Sequence, residues 1–562
     1  MALKGSEKEP LPAEGGADPR LTRRGFLAGA AALTAGGTLS VEKLAEAGKR
    51  ITPAAPASMP ARRLAEAFQV RLKAAEQARH LGAGIEKASG EEESLPGRAA
   101  CYSKGLPHNR AGEVDLKAYD FYLRALRTGR PEDFERIPLG GYVKLANPQS
   151  ALAFELIGPD CSQVQCPAAP GFASPEQAAE MIELYWQALL RDVPFDGYGS
   201  HPVAERAAAE LSGLSGFRGP KQDGRVTPGT LFRGFTPGDL AGPYVSQFLW
   251  KPIPFLPIRI EQRIRTAVPG VDYMTDFEGW LAIQNGALAG VNQFDASPRY
   301  IRNGRDLGEY AHRDFTYQSC LSAFLIALKA GAPPDGGNPY KHSRTQSAFT
   351  TFGQPFVLSL LALVTQSGLK ACWYQKWIAH RRLRPEEYAG RVEARLGGQD
   401  RYPLKNAYPL PDGLADSPAV QAVRKRYGTA LLPQAYPEGC PTHPSYPAGH
   451  AVIAGACVTV IKACLDESYV LPEPVMASAD GLSLLPWKGS ELTVGGELDK
   501  LAANIILGRN HAGLHWRSDA VEGLRLGEEI AIRILEEMSL TGNELFSGFS
   551  LRRFDGRRVS VG

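Results

Sequence analysis

His443-Pro444-Ser445-Tyr446-Pro447-Ala448-Gly449-His450 runs directly into an apolar stretch, Ala451–Leu465. Pro447 and Gly449 beside a helix start leave backbone N–H groups free to meet an anion. His450 at the same terminus can donate to that anion or exchange a proton with it. The stretch therefore predicts a buried helix over Gly449–Leu465 with polar chemistry at its mouth. Working outward, apolar residues at helical spacing predict further helices over Leu307–Ala330, Pro355–Gln366, Leu369–Arg382, Gly496–Leu507 and Ser518–Met538. Upstream the pattern continues in Ala61–His80 and in Ala173–Arg191, the latter with Glu176, Glu180 and Glu183 placed outward, while an acidic patch at Glu91–Glu93 reads as a loop. Period-two alternation is scarce, so the chain is expected to be mainly α, with little sheet.

A Gly-His pair at a helix start is weak by itself, but two other segments share its chemistry. Lys376-Trp377-Ile378-Ala379-His380-Arg381-Arg382-Leu383-Arg384-Pro385 holds five basic residues in nine, and no Asp or Glu occurs between Asp335 and Glu386. Lys376, His380 and Arg384 fall at i, i+4 and i+8, one helix face, with Pro385 biasing Arg384 out of the helix. Taken alone, the run fits a solvated basic face as well as a buried cluster awaiting a counter-anion. The third segment is Gly508-Arg509-Asn510-His511-Ala512-Gly513-Leu514-His515-Trp516-Arg517-Ser518-Asp519. His515 and Asp519 stand four apart, so the carboxylate can hold one ring nitrogen and leave the other free to ligate or attack. Arg509 adds a planar fork suited to a tetrahedral oxyanion. One lysine, two arginines, a helix-start Gly-His and an Arg-x5-His-x3-Asp together describe a phosphate-shaped pocket.

Composition narrows the class. The chain has 562 residues, 44% hydrophobic and 22% charged, with a net charge of +3 and eight cysteines. That excludes a basic nucleic-acid binder and a disulfide-scaffolded mini-protein. The longest apolar runs, Phe356–Val364 and Ala451–Ile461, fall short of the ~20 residues a spanning helix needs, so no membrane span is expected in the mature chain. Thr22-Arg23-Arg24-Gly25-Phe26-Leu27, followed by an Ala/Gly-rich apolar stretch and Ala45-Glu46-Ala47, reads as a twin-arginine export signal over residues 1–47. A periplasmic or secreted protein that folds before export is the expectation. Cys457 and Cys464 then read as buried small hydrophobes, and a local Cys161–Cys166 loop stays open as an alternative. Beyond the signal, the chain divides into an N-terminal helical region, 48–300, and a C-terminal helix bundle, 301–562, carrying the anion site.

These segments resemble the vanadium-dependent haloperoxidases and, through them, the wider type 2 phosphatidic acid phosphatase superfamily. The bromoperoxidase group of algae and cyanobacteria is matched by Lys-x7-Arg-Pro (Lys376, Arg384, Pro385), by His443 seven before His450, and by Asn504-Ile505-Ile506-Leu507-Gly508-Arg509-Asn510. Asn147-Pro148-Gln149-Ser150-Ala151-Leu152-Ala153-Phe154 and Arg305-Asp306-Leu307-Gly308-Glu309-Tyr310 extend the likeness, which covers roughly residues 60–555. The resemblance implies the helix-bundle fold of the vanadium haloperoxidase and acid phosphatase type, with vanadate as cofactor. It implies that Lys376, Arg384, Arg509 and the Gly449 N–H bind the vanadate oxygens and that His515 ligates the metal. His450 would be the acid–base group for peroxide, His443 would sit beside the halide, and Asp314 would partner Arg509. The implied reaction is oxidation of bromide or iodide by hydrogen peroxide to hypohalous acid, which halogenates a small organic acceptor. The implied assembly is a homo-oligomer, a dimer or a larger shell; nucleic acid is not an expected partner.

One departure stands out: Ala448 occupies the position where the family usually has Ser, removing a hydroxyl donor worth about 0.5–1.5 kcal/mol. Calcium is not expected, for want of an acidic cluster between 336 and 385. Two alternatives remain at this point. One is an acid phosphatase of the same superfamily, with His515 as nucleophile and His450 as general acid; the other is a non-catalytic exported scaffold. The longer Lys-to-Arg gap, His443 and the long N-terminal half favour the peroxidase.

Overall fold

A computed structural model describes residues 58–82, 84, 95–397 and 409–562. The twin-arginine segment and the acidic patch at Glu91–Glu93 lie outside the described residues. The chain divides into two compact units, Met1–Leu72 and Lys73–Gly562. The first is described from residue 58 and holds the start of helix α1 (Met59–His80), none of whose residues is buried.

The second unit is mainly helical. Its principal helices are α2 (Leu116–Thr128), α3 (Pro175–Leu190), α4 (Pro202–Gly213), α5 (Phe277–Gln284), α6 (Gly304–Arg313), α7 (Gln318–Lys329) and α8 (Gln354–Tyr374). They continue with α9 (Pro385–Leu396), α10 (Pro418–Tyr427), α11 (Gly449–Cys464), α12 (Val494–His511) and α13 (Arg517–Ser539). Local chemistry sets several starts: Ser174 caps α3 through Gln177 N–H, Thr493 caps α12 through Gly496 N–H, and proline opens α3, α4, α9 and α10. Sheet among the described residues is confined to three two-stranded antiparallel hairpins: β1 (Ile253–Phe255) with β2 (Ile258–Ile260), β3 (Val475–Ala477) with β4 (Leu484–Pro486), and β5 (Phe549–Arg552) with β6 (Arg558–Val561). The expectation of a mainly α chain is met.

Helices α8, α11, α12 and α13 form the central bundle, and α6 packs on α12. α11 is apolar all round and buried from Gly449 to Ala463, apart from half-buried His450, as a helix enclosed by others must be. Its crossing with α13 is close because glycines line it. A Cβ on Gly527 would stand 2.7 Å from Ala456 N, and one on Gly523 would stand 2.6 Å from Ala451 Cβ. The main core runs through this bundle and also takes in Val245, Phe248 and Leu249. A second core joins α3 and α4 to α9 and α10, with Trp186, Tyr388 and Trp516 at its centre. The helix termini that carry the basic and histidine segments border both cores, Cys372, Tyr446 and Ala448 lying in the first and Leu383 and Trp516 in the second.

Several expectations need correction. The helices foreseen at Pro355–Gln366 and Leu369–Arg382 are one: α8 runs through Gly368, which packs against Val452, and continues as a π-helical turn, Gln375–His380. The resulting 27-residue helix, Gln354–His380, is long and apolar enough by length and composition to cross a membrane, although half of its apolar window is buried within the protein. The stretch Leu307–Ala330 is two helices, parted at Asp314–Tyr317, where Asp314 turns extended (ψ 149). Glu180 and Glu183 do not face outward: both are buried, pairing with Arg382 and Arg517. Arginines far along the chain supply the counter-charge that makes an inward carboxylate tolerable. All eight cysteines are free, so Cys161 and Cys166 do not close a loop, while Cys457 is a buried thiol as expected and Cys464 is half-buried.

Candidate functional site

Five helix ends assemble the site. Lys376 lies in the π-helical turn that ends α8, and Arg381, in the left-handed region (φ 44, ψ 34), reverses the chain immediately after it. Arg384 then takes extended backbone as the cap of α9, with Pro385 in its first turn. Lys376, His380 and Arg384 therefore do not share a helix face. His380 points elsewhere, its Nε2 3.2 Å from Gln375 Oε1 and its ring edge-on to Tyr446. Gly449 and His450 open α11, aiming its first N–H groups out of the helix end. Arg509 sits in the last turn of α12, His515 in the link that follows, and Asp519 in the first turn of α13.

Side chains from the three segments meet in the structure. Arg384 Nη1 lies 2.9 Å from His515 Nε2 and donates to Leu514 O at 2.9 Å. Its Nη2 lies 3.0 Å from His443 Nδ1, and its Nε donates to His443 O at 3.0 Å. Lys376 Nζ donates to Pro444 O at 2.8 Å and Ser445 O at 2.6 Å, on the strand of chain leading into Gly449. His515 Nδ1 meets Asp519 Oδ2 at 2.8 Å. That carboxylate fixes the proton on Nδ1 and leaves the Nε2 lone pair facing the cations, the tautomer a metal ligand needs. His443 lies against the Trp373 ring at 4.9 Å. Asp314 corrects an expectation: its carboxylate sits 3.4 Å from His450 Nε2, whereas Arg509 donates to Ala311 O at 3.1 Å and forms no ion pair among the described residues. The break between α6 and α7 carries Asp314 past Arg509 to the mouth of α11.

Burial and like charge govern the electrostatics. Lys376 and Arg384 are fully buried and Arg509 is 7% exposed. Burial, opposed only weakly by neighbours, brings the Lys376 ammonium down to about 7. Burial and then Arg384, Lys376 and Arg509 hold His515 well below the ordinary imidazole value, and His443 is depressed by burial, Arg384 and Lys376. His450 is lowered by burial and by Arg509, against the pull of Asp314. All three histidines feel the Lys376 charge, and His515 and His450 also feel Arg509, so these histidines gather around the same buried cations. Their own partners there are carbonyls and neutral imidazoles, and the Arg509 Nε is buried with no acceptor at all. Three buried cations with no carboxylate of their own form a site that a multiply charged oxyanion completes. The residues present fit vanadate on that ground.

Sequence reasoning missed the layer behind the site. Arg382 and Glu180 pair at 3.0 Å behind Asp519, Ser445 hydroxyl donates to Asp519, and Trp373 backs His443. Arg382 was visible only as one more member of a basic run, and nothing local ties it to Glu180, two hundred residues away.

Known proteins share the sequence and the fold of this chain. A family model described as the VCPO second helical-bundle domain matches residues 412–542, the span of α10 to α13. The chain is 35% identical to a vanadium-dependent bromoperoxidase of Corallina pilulifera, over 90% of this chain and 100% of that protein. It is 36% identical to one of Ascophyllum nodosum, over 88% of this chain and 92% of that one. The solved homohexameric structure of the second vanadate-dependent bromoperoxidase of Ascophyllum nodosum superposes with a TM-score of 0.84 at 30% identity, covering 93% of this chain and 96% of that one. The chain belongs to the vanadium-dependent haloperoxidases, in their bromoperoxidase-like group, and is an enzyme of that family.

Proposed function

We propose that the protein binds vanadate among Lys376, Arg384, Gly449 N–H, Arg509 and His515 and uses it to oxidise bromide or iodide with hydrogen peroxide. The product is hypohalous acid, which halogenates small organic acceptors. The observation that carries this reading is the set of three buried cations, each without a carboxylate partner, around a histidine whose Nδ1 is tied to Asp519. Bound vanadate would supply a Lewis-acidic centre that activates peroxide toward halide attack.

The chain's residues have separable tasks in this scheme. Lys376, Arg384 and Arg509 neutralise the oxyanion, and its charge in turn favours a protonated Lys376. His515, held neutral and aimed through Asp519, offers Nε2 to the metal. His450 is neutral at neutral pH, with Asp314 against its Nε2, and takes the proton that peroxide must lose. His443, with its ring on Trp373 and within reach of Arg384, lines the halide side. The twin-arginine segment supports export, and the hexameric relative supports self-association of this chain as well.

A bromide-oxidation dye assay with peroxide tests the reading. Activity should appear on adding vanadate to metal-free protein and fall with excess phosphate, which competes for the same cations. Phosphoester hydrolysis without halide oxidation would move the assignment to the phosphatases.

A further inference from the structure

The carboxylate that orients His515 is itself held from behind. Asp519 Oδ2 accepts from His515 Nδ1 at 2.8 Å, from Trp516 N–H at 3.1 Å and from the Ser445 hydroxyl, while Oδ1 accepts from Arg382 Nη1 at 2.9 Å. Arg382, 5% exposed, divides its fork between two helices. Nη1 also donates to Ser518 Oγ at 2.8 Å, and Nη2 donates to Gln177 Oε1 at 2.7 Å and Glu180 Oε2 at 3.0 Å. Glu180 in turn accepts from Ser518 N–H at 2.6 Å. A line of carboxylate, guanidinium, carboxylate and imidazole thus runs from α3 to His515. The Arg382 main chain makes a second link: its carbonyl accepts from Ser445 N–H at 2.9 Å, and Ser445 O is one of the two acceptors on which Lys376 rests.

We propose that Arg382 is the positioning residue of this site. It fixes the plane of the Asp519 carboxylate, and with it the direction of His515 Nε2, and its carbonyl sets the segment that carries Lys376. The terminal torsion of an aspartate is soft, so a carboxylate bonded on one side only can turn. Bonds to both oxygens from opposite directions remove that freedom. Only a planar fork can span Glu180 and Asp519 at once; a lysine offers a point charge to one of them. The proposal rests on the reading that His515 bonds the oxyanion, and the test separates the two.

Vanadate and sulfate binding would be measured on full-chain Arg382→Met, Arg382→Lys, Glu180→Gln and His515→Ala protein by equilibrium dialysis and calorimetry. Vanadate can bond the His515 nitrogen, whereas sulfate meets the cations alone. Loss of a group that orients a metal-binding histidine typically costs ~10–100-fold in affinity, and that is expected for vanadate with Arg382→Met. Arg382→Lys should fall between it and wild type, Glu180→Gln should weaken vanadate by a smaller factor, and sulfate affinity should be unchanged in all three. Wild-type vanadate affinity in Arg382→Met, or equal loss of both anions in folded protein, overturns the proposal. If Arg382→Met does not fold, Arg382→Lys and Glu180→Gln decide by the same vanadate-to-sulfate comparison. His515→Ala binding vanadate like wild type would instead remove the underlying reading.

Discussion

Replacing Gly527 with alanine tests whether the closeness of α11 and α13 builds the site. The added Cβ would fall inside the radius of the Val452 carbonyl oxygen and stand 2.7 Å from Ala456 N, against the 3.4 Å at which contact becomes ordinary. Both obstacles are helix backbone, which cannot turn aside as a side chain can, and the Val452 oxygen, the nearer of the two to the added Cβ, requires the two helices to part locally by about 1 Å or more. Overpacking of this kind costs ~1–3 kcal/mol, and the rigidity of the crossing places the variant toward the upper end. The displacement also reaches the chemistry, because α11 begins at Gly449 and His450 and α13 carries Asp519 in its first turn. Misplacement by 1 Å can cost on the order of 10²-fold in rate, so a fall of about 10- to 100-fold in kcat/KM is expected for bromide oxidation. The assays are urea unfolding followed by circular dichroism and initial rates on vanadate-saturated protein. Gly213→Ala is the control: nothing lies within 4 Å of its Cβ at the end of α4, and it should be neutral or stabilising by up to ~1 kcal/mol. An unchanged midpoint and rate for Gly527→Ala would refute the reasoning.

Three further outcomes are expected. His450→Ala should keep vanadate bound, as shown by dialysis, yet lose ~10²–10⁴-fold in turnover, the usual worth of a proton-transfer residue; loss of vanadate together with turnover would count against that role. Ala448→Ser restores a hydroxyl at the fully buried cap of α11, which has no side-chain bond of its own, and should tighten vanadate by ~0.5–1.5 kcal/mol, read as a lower Kd by dialysis. Burial lifts the Asp239 carboxyl to about 7, above its unfolded value, so the folded state keeps a proton that the unfolded chain has lost. The stability this contributes is fully present below about pH 4 and is lost as pH rises to about 7; Asp239→Asn should flatten the fall in urea midpoint between pH 5 and 8, and an unchanged slope would contradict it.

The sequence was most legible where chemistry and periodicity coincide. The His443–His450 run predicted a helix mouth with a buried helix behind it, and α11 is that helix, from Gly449 to Cys464. The four-residue step from His515 to Asp519 predicted their bond, found at 2.8 Å. Regular spacing misled where the backbone leaves the α-helix: the i, i+4, i+8 series placed Arg384 on one helix face, yet a π-helical turn and a left-handed Arg381 deliver it from the start of α9. Outward placement of Glu180 and Glu183 failed for a different reason. Local sequence displays the carboxylates but not Arg382 and Arg517, which come from other helices and make burial tolerable. Asp314 was found as a participant but given the wrong partner, because the break after α6 is set by tertiary packing.

The central claim is that His515 bonds the oxyanion that makes the site catalytic, and vanadate binding by His515→Ala protein tests it most directly. Metal-free wild type and variant would be dialysed to equilibrium against vanadate, and the bound metal counted beside bromide oxidation on the same samples. The account predicts tight binding and activity in the wild type; in His515→Ala it predicts loss of activity and a vanadate affinity reduced to that of sulfate, because the remaining cations Lys376, Arg384 and Arg509 offer charge but no metal ligand. Full vanadate-dependent bromide oxidation by His515→Ala would contradict it.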